Sequence, residues 1–375
     1  MDISERVREV IEKTGLNRTA FAEQAGLDAS KLSKSLSGAR RFSSLDLANI
    51  AEIGGVTVDW LLGTERSKPA VAARAATPAG SVADKAIETA ETISEVRAGL
   101  AGLGYRARST PELRFAPAEL GIRQGADLAQ QALARLPEGP PGVGADLFAT
   151  LERCFGIEVA VQHLDGRFDG LAWIDDDARV IVVGTTEVPT RQRFTLAHEL
   201  AHILAGDDQL HVDEDVMEWR RAVSELRANS FAAHFLMPEA VIAGRLATDA
   251  PIDRRAFAEL VMHLAVSPDA LAWRLHSLAR VSPAQRDQFR RMSTVQCAHL
   301  TERTDQYGEW RNASKHSRSP AALTGDALDA YLEGKITLRP VAQLCGLPVE
   351  TLRDTLDSGA WSGPYPADEE PVFNP

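Results

Sequence analysis

The chain has 375 residues, a net charge of −12 and ordinary apolar and charged fractions, which suits two or three globular domains. The acidic balance excludes a chain that binds nucleic acid nonspecifically over its whole surface, so any DNA contact must come from a local basic patch. Three scattered cysteines, Cys154, Cys297 and Cys345, make neither a disulfide framework nor a Cys-based metal site. They suit a reducing cytoplasm, and a cytoplasmic location without membrane attachment is expected: no apolar run nears the roughly 18 residues of a membrane span, and MDISERVREV lacks the apolar core of a signal peptide.

Residues 1–65 read as short helices joined by tight turns. Arg18–Ala25 fits one helix and Ala29–Leu36 a second, with Gly26 at the turn and Asp28 as N-cap, which is helix-turn-helix spacing. On the second helix Leu32 and Leu36 face inward, leaving Ala29, Ser30, Lys31, Ser33 and Lys34 exposed. Lys31, Lys34, Arg40 and Arg41 form a basic edge with no acid between Ala29 and Arg41. Short polar and basic side chains of this kind reach base edges, with Arg and Lys beside them on phosphates. The segment from about Ile3 to Gly63, including the trailing GGVTVDWLLG, resembles the lambda-repressor-like (XRE) helix-turn-helix family. The resemblance implies a five-helix domain that reads the major groove of a double-stranded operator, usually as a homodimer. It places Ala29, Ser30, Lys31 and Lys34 at or beside base-reading positions, and Arg18 where a phosphate-clamping Gln is common.

Residues 66–125 read as a linker and a helix: RSKPAVAARAATPAGSV (66–82) is small-residue and Pro-rich, 83–103 is helical, and 104–125 shows no period. A domain follows over 126–280. It holds an Ala/Leu-rich helix at about 125–136, the helix LFATLERCFG, and short strands at IEVAVQHL, LAWIDD and ARVIVVG. A helix from Thr190 to about Ala205 and another from about Val216 to Met237, stopped by Pro238, complete it.

The first of those helices carries HELAH. Positions i and i+4 share a helix face, so His198 and His202 can direct ring nitrogens at one ion. Glu199, about 100° round, sits where a general base for an activated water belongs. The composition of the chain makes a chance HExxH on the order of one in a hundred, and a mostly buried helix with two histidines needs a polar partner. Zinc requires a third protein ligand, and Asp208, Glu218 and Glu225 are all candidates by position. The donor set also suits manganese or iron.

RQRFTLAHELAH followed by ELRANSFAAHFLMP resembles the ImmA/IrrE family of zinc metallopeptidases, over about 126–280. The resemblance implies a zincin-like α+β fold, a Zn²⁺ cofactor, Glu225 as third ligand, Glu199 as general base, and Asn229 set to hold a ligand histidine. It makes RVIVV an edge strand that would hold an extended substrate. It also implies cleavage of lambda-repressor-like regulators under a stress signal.

Residues 281–375 read as a C-terminal helical module, with 282–320 helical at first and then polar and irregular, and with a disordered tail. VAQLCGLPVETLRDTL (341–356) repeats FAEQAGLDASKLSKSL (21–36) at its core positions but loses the basic face, which fits dimerisation or docking on the peptidase domain rather than DNA contact. The fold expected is multidomain and mainly α with a small β-sheet. The function expected is a DNA-binding transcriptional regulator with a fused zinc endopeptidase, cutting itself or a related helix-turn-helix regulator to relieve repression. The alternative is a ligand- or metal-sensing repressor whose peptidase-like domain cuts nothing.

Overall fold

The structure is a computed structural model. It describes residues 3–56, 58–62, 70–73, 81–116, 120–137, 146–164, 169–207, 214–246 and 251–358; of 59–60, 70–73, 81–83 and 214–221 it describes the backbone only. The chain divides into two compact units, 1–68 and 69–375.

The first unit consists of helices α1 (Ile3–Thr14), α2 (Arg18–Gln24), α3 (Ala29–Leu36), α4 (Ser44–Gly54) and α5 (Val58–Leu62). Their apolar positions, among them Val7, Val10, Phe21, Leu32, Leu36, Ile50 and Leu61, close one small core. Three of the five starts are fixed locally: Asn17 accepts from the N–H groups of Thr19 and Ala20, Asp28 from that of Lys31, and Ser43 and Asp46 form a capping box. Each such cap contributes about 1 kcal/mol. Gly26 turns the chain between α2 and α3 at φ +69°, where an L side chain would be strained.

The second unit is built on a sheet of β1 (Ala70–Ala73), β2 (Glu158–Gln162), β3 (Gly170–Ile174) and β4 (Arg179–Gly184) in the order β1-β3-β4-β2. β3 is antiparallel to both β1 and β4, and β4 is parallel to β2. The expectation that RVIVV is an edge strand is corrected here. β4 is hydrogen-bonded on both sides, which is why its apolar run is continuous rather than alternating.

The two-residue period of the strands sorts their side chains onto two faces. Val159, Val161, Ala172, Ile181 and Val183 join the larger core, with α7 (Gly121–Leu133), α8 (Leu147–Phe155), α9 (Pro189–Ala205) and α10 (Glu214–Leu236). Ala160, Leu171, Trp173, Val180 and Val182 join a second core against α6 (Ser81–Gly102) and the C-terminal helices. The helices α11 (Glu239–Arg245), α12 (Arg254–Leu264) and α13 (Pro268–Ser277) extend the larger core. So do α14 (Pro283–Phe289), α15 (Thr294–Leu300) and α16 (Thr304–Ala313), in a stretch that the sequence read as helical at first and then irregular; capping boxes Ser282–Gln285 and Ser293–Gln296 start two of these short helices.

The helices beyond these, α17 (Ala321–Leu332), α18 (Arg339–Cys345) and α19 (Val349–Asp357), are not set apart: Leu323, Ala327, Val341, Ala342 and Leu352 share the second core with the sheet. The weak repeat is also geometric, since Gly346 turns α18 into α19 at φ +63° as Gly26 does at φ +69°. Buried Arg97 ties the layer together, its guanidinium 2.6 Å from Glu158 on β2 and 2.6 Å from Asp326 on α17. No helix among the described residues is long and apolar enough to cross a membrane.

Candidate metal centre

α9 starts on Pro189, whose missing N–H costs nothing at a first helical position, and runs beneath the sheet. His198, Glu199 and His202 are 0%, 0% and 2% exposed. α10 lies beside α9 and carries Glu225 towards the histidines. His198 Nε2 is 3.2 Å from His202 Nε2, 3.4 Å from Glu225 Oε2, and Glu225 Oε1 is 3.8 Å from His202 Nε2. One donor atom from each of the three lies within 4.8 Å of the others. Asp208 lies outside the described residues, as does the side chain of Glu218.

The three residues fit a divalent ion on two grounds. An ion held tetrahedrally at about 2.0–2.1 Å from each donor sets those donors roughly 3.3 Å apart. The separations of 3.2 and 3.4 Å agree with that. The second ground is chemical. His202 Nδ1 donates to Asp207 Oδ2 at 2.9 Å, and His198 Nδ1 to Asn229 Oδ1 at 3.2 Å. With each Nδ1 carrying the proton, two Nε2 lone pairs face one another, which a cation between them resolves. The surroundings favour positive charge at this point: burial works against a charged His202 ring, but the Asp207 hydrogen bond and the carboxylates of Glu199, Asp207 and Glu225 outweigh it and raise its pKa, so that without an ion a proton on Nε2 is what these groups favour.

Asp207 is a residue that sequence reasoning missed. Gly206 ends α9 at φ +64°, and the Asp207 N–H bonds back to His202 O at 3.1 Å. That turn carries the carboxylate onto the ring of His202. The Gly-Asp pair after the helix was the available signal. Asp207 in turn is ion-paired with Arg227 on α10, whose Nη1 donates to Gln124 on α7 at 2.9 Å and whose guanidinium lies 4.7 Å over the Phe115 ring. α7 reaches this position because Gly125 lets it touch α10: a Cβ there would lie 2.2 Å from Arg227 O. Glu199 meets β3. A Cβ on Gly170 would come within 2.9 Å of both its Cγ and its Oε1. His234 points elsewhere, with Nε2 2.9 Å from Arg274, and His211 lies outside the described residues.

In the first unit Arg18, Ala29, Ser30, Lys31, Ser33, Lys34 and Arg41 are all exposed, the middle five on α3. Arg40 departs from the expected basic edge. It is partly buried, donates to Ser35 Oγ at 3.0 Å and pairs with Asp46 at 2.8 Å, so its guanidinium is spent inside the unit.

Residues 153–276 match the family model described as the IrrE N-terminal-like domain, of the peptidase M78 type. Two curated relatives are also similar to part of the chain. The radiation response metalloprotease IrrE of Deinococcus radiodurans is 39% identical over 153 residues, 40% of this chain and 44% of that protein. Its namesake in Deinococcus deserti is 36% identical over 136 residues, 35% of this chain and 47% of that protein. The chain thus spans less than half the length of these relatives. The part that matches is of metallopeptidase type, and it contains the whole His198–His202–Glu225 group.

Proposed function

We propose that this chain is a transcriptional regulator that reads double-stranded DNA, as a homodimer, with its first unit and hydrolyses peptide bonds with its second. The substrate is a helix-turn-helix regulator, this chain included, and cutting it relieves repression. The observation that carries the peptidase half is the buried Nε2 pair facing Glu225, with Glu199 on the same helix. His198, His202 and Glu225 would hold the ion, zinc by the chemistry of the donor set. When bound, such an ion acidifies a water and polarises the scissile carbonyl.

The chain's own residues supply the rest. Glu199 takes the proton of the attacking water and delivers it to the leaving amine. Asp207 and Asn229 fix the tautomer and orientation of the two histidines. Burial of the helix around them excludes bulk water. The DNA half rests on the exposed α3 surface with Lys31 and Lys34 and on the cap and turn geometry of α2 and α3.

The test is metal content beside intactness, in wild type and Glu199→Gln. About one zinc per chain in both proteins, with fragments of the chain or of a helix-turn-helix partner from wild type alone, is the expected result. Bound zinc with no cut in any partner, and operator affinity that follows zinc, would replace the peptidase by the sensing repressor.

A further inference from the structure

The first two turns of α9 carry two polar side chains that the metal centre does not use. Thr190 is 3% exposed, and its Oγ1 has no hydrogen-bond partner among the described residues. Arg193, one turn on and so on the same side of the helix, is half-buried, and its Nε and Nη2 are shut off from solvent, likewise without a partner. At about 100° per residue, Arg193 lies about 140° round the helix from His198, facing away from the ion-binding side.

The acid that acts on Arg193 is Asp146, the N-cap of α8. Asp146 is already engaged. It accepts from the N–H groups of Phe148 and Ala149, and from Arg318 Nη1 at 2.8 Å. Arg318 is held by its own backbone, which bonds both ways with Val161 on β2 at 2.8 and 2.9 Å, and its Nε too is buried without a partner. Two guanidinium groups thus depend on one carboxylate. Burial lowers the Arg193 guanidinium only to about 10, so it is charged at neutral pH. The other acid beside Arg318 is buried Glu152, and burial lifts its carboxyl to about 8, so at neutral pH it keeps its proton. Two positive charges against one negative leave a local excess of one positive charge. A buried guanidinium whose N–H groups bond to nothing is costly, and an anion is what completes it. The guanidinium fork matches the oxygens of a tetrahedral oxyanion, and a hydroxyl adds a further donor.

We propose that Arg193, Thr190 and Arg318 form a binding site for a small inorganic oxyanion, phosphate by charge and shape, where α9 meets α8, separate from the metal centre. The anion accepts from Nε and Nη2 of Arg193, from the Thr190 hydroxyl and from Nε of Arg318. Asp146, whose side chain is 44% exposed, marks the way in from solvent. Bound there, the anion joins the start of α9 to the segment at Arg318 and so clamps the helix that carries His198, Glu199 and His202.

The test uses the full chain as purified, with inorganic phosphate as the probe and chloride at equal ionic strength as the reference. Calorimetry should show saturable phosphate binding to wild type, with a matching rise in melting temperature. Arg193→Met should weaken that binding at least about tenfold. In chloride it should melt no lower than wild type, because it removes an uncompensated buried charge. Thr190→Val should weaken phosphate by about 2–10-fold, and it decides the matter if Arg193→Met does not fold. A wild type with no saturable phosphate response overturns the proposal. So does a response that both variants leave unchanged, since the phosphate then binds elsewhere, as on the metal. A wild type indifferent to phosphate, with an Arg193→Met that melts lower in chloride, would make Arg193 a structural residue only.

Discussion

Replacing Asp207 separates what that carboxylate does for the metal from what it does for the fold. Asp207→Ala removes the oxygen 2.9 Å from His202 Nδ1. The ring then loses the contact that fixes its tautomer and aims Nε2 at His198 and Glu225. Loss of such an outer partner weakens metal binding by about 10–100-fold, or about 1.4–2.7 kcal/mol. The same change deprives Arg227, whose side chain is 7% exposed, of its ion partner. Arg227 keeps Gln124 at 2.9 Å and the Phe115 ring at 4.7 Å. The stability cost should therefore stay below the roughly 3–5 kcal/mol of a fully orphaned buried charge, at about 1–3 kcal/mol. Asp207→Asn divides the two effects, because an amide oxygen still accepts from Nδ1 but no longer neutralises Arg227. Zinc competition against a chromophoric chelator reads the first effect and denaturant unfolding of the metal-free chain the second. Asp207→Asn should restore most of the metal affinity and little of the stability. A folded Asp207→Ala that binds zinc as tightly as wild type would refute the assignment.

Four further changes probe other parts of the molecule. Gly170→Ala puts a Cβ 2.9 Å from Glu199 Oε1. The carboxylate must then move by roughly half an ångström or more, and kcat should fall by about 10–100-fold with zinc content unchanged; an unaltered kcat would count against Glu199 as base. Burial, with the Glu158 charge adding to it, lifts the Glu152 carboxyl to about 8 against the pull of Arg318 and the N–H groups of Ala321 and Ala322. Its folded value exceeds its unfolded one, so the stability it contributes is whole below the ordinary 4.5 and is lost as pH rises through about 8. Denaturant midpoints should fall across that window in wild type and stay flatter in Glu152→Gln. On α3, Lys34→Ala should lower the slope of log K against log salt for operator binding by about 0.9, as read by fluorescence anisotropy. Arg40→Ala should instead lower the melting temperature of the first unit, because Arg40 is paired with Asp46.

The helices and the site were legible in the sequence to different depths, for physical reasons. Asp28, Gly26 and the Leu32–Leu36 pair act within one turn of the chain, so α2 and α3 could be placed from local pattern alone. The HELAH spacing is likewise local, and the helix period set His198, Glu199 and His202 in their relative directions before any tertiary contact was known. What could not be read was anything that depended on pairing across distance. RVIVV reads as a strand, but only the neighbours of a strand decide whether it is an edge. Arg40 reads as part of a basic face, and only the position of Asp46 on α4 turns it inward. Glu225, Asp207 and Gln124 come from three elements that meet through the close contact of α7 with α10 at Gly125. Position in sequence disfavoured Asp208, since Ala205 stands where the longer motif needs a turning Gly, and left Glu218 and Glu225 open as ligands.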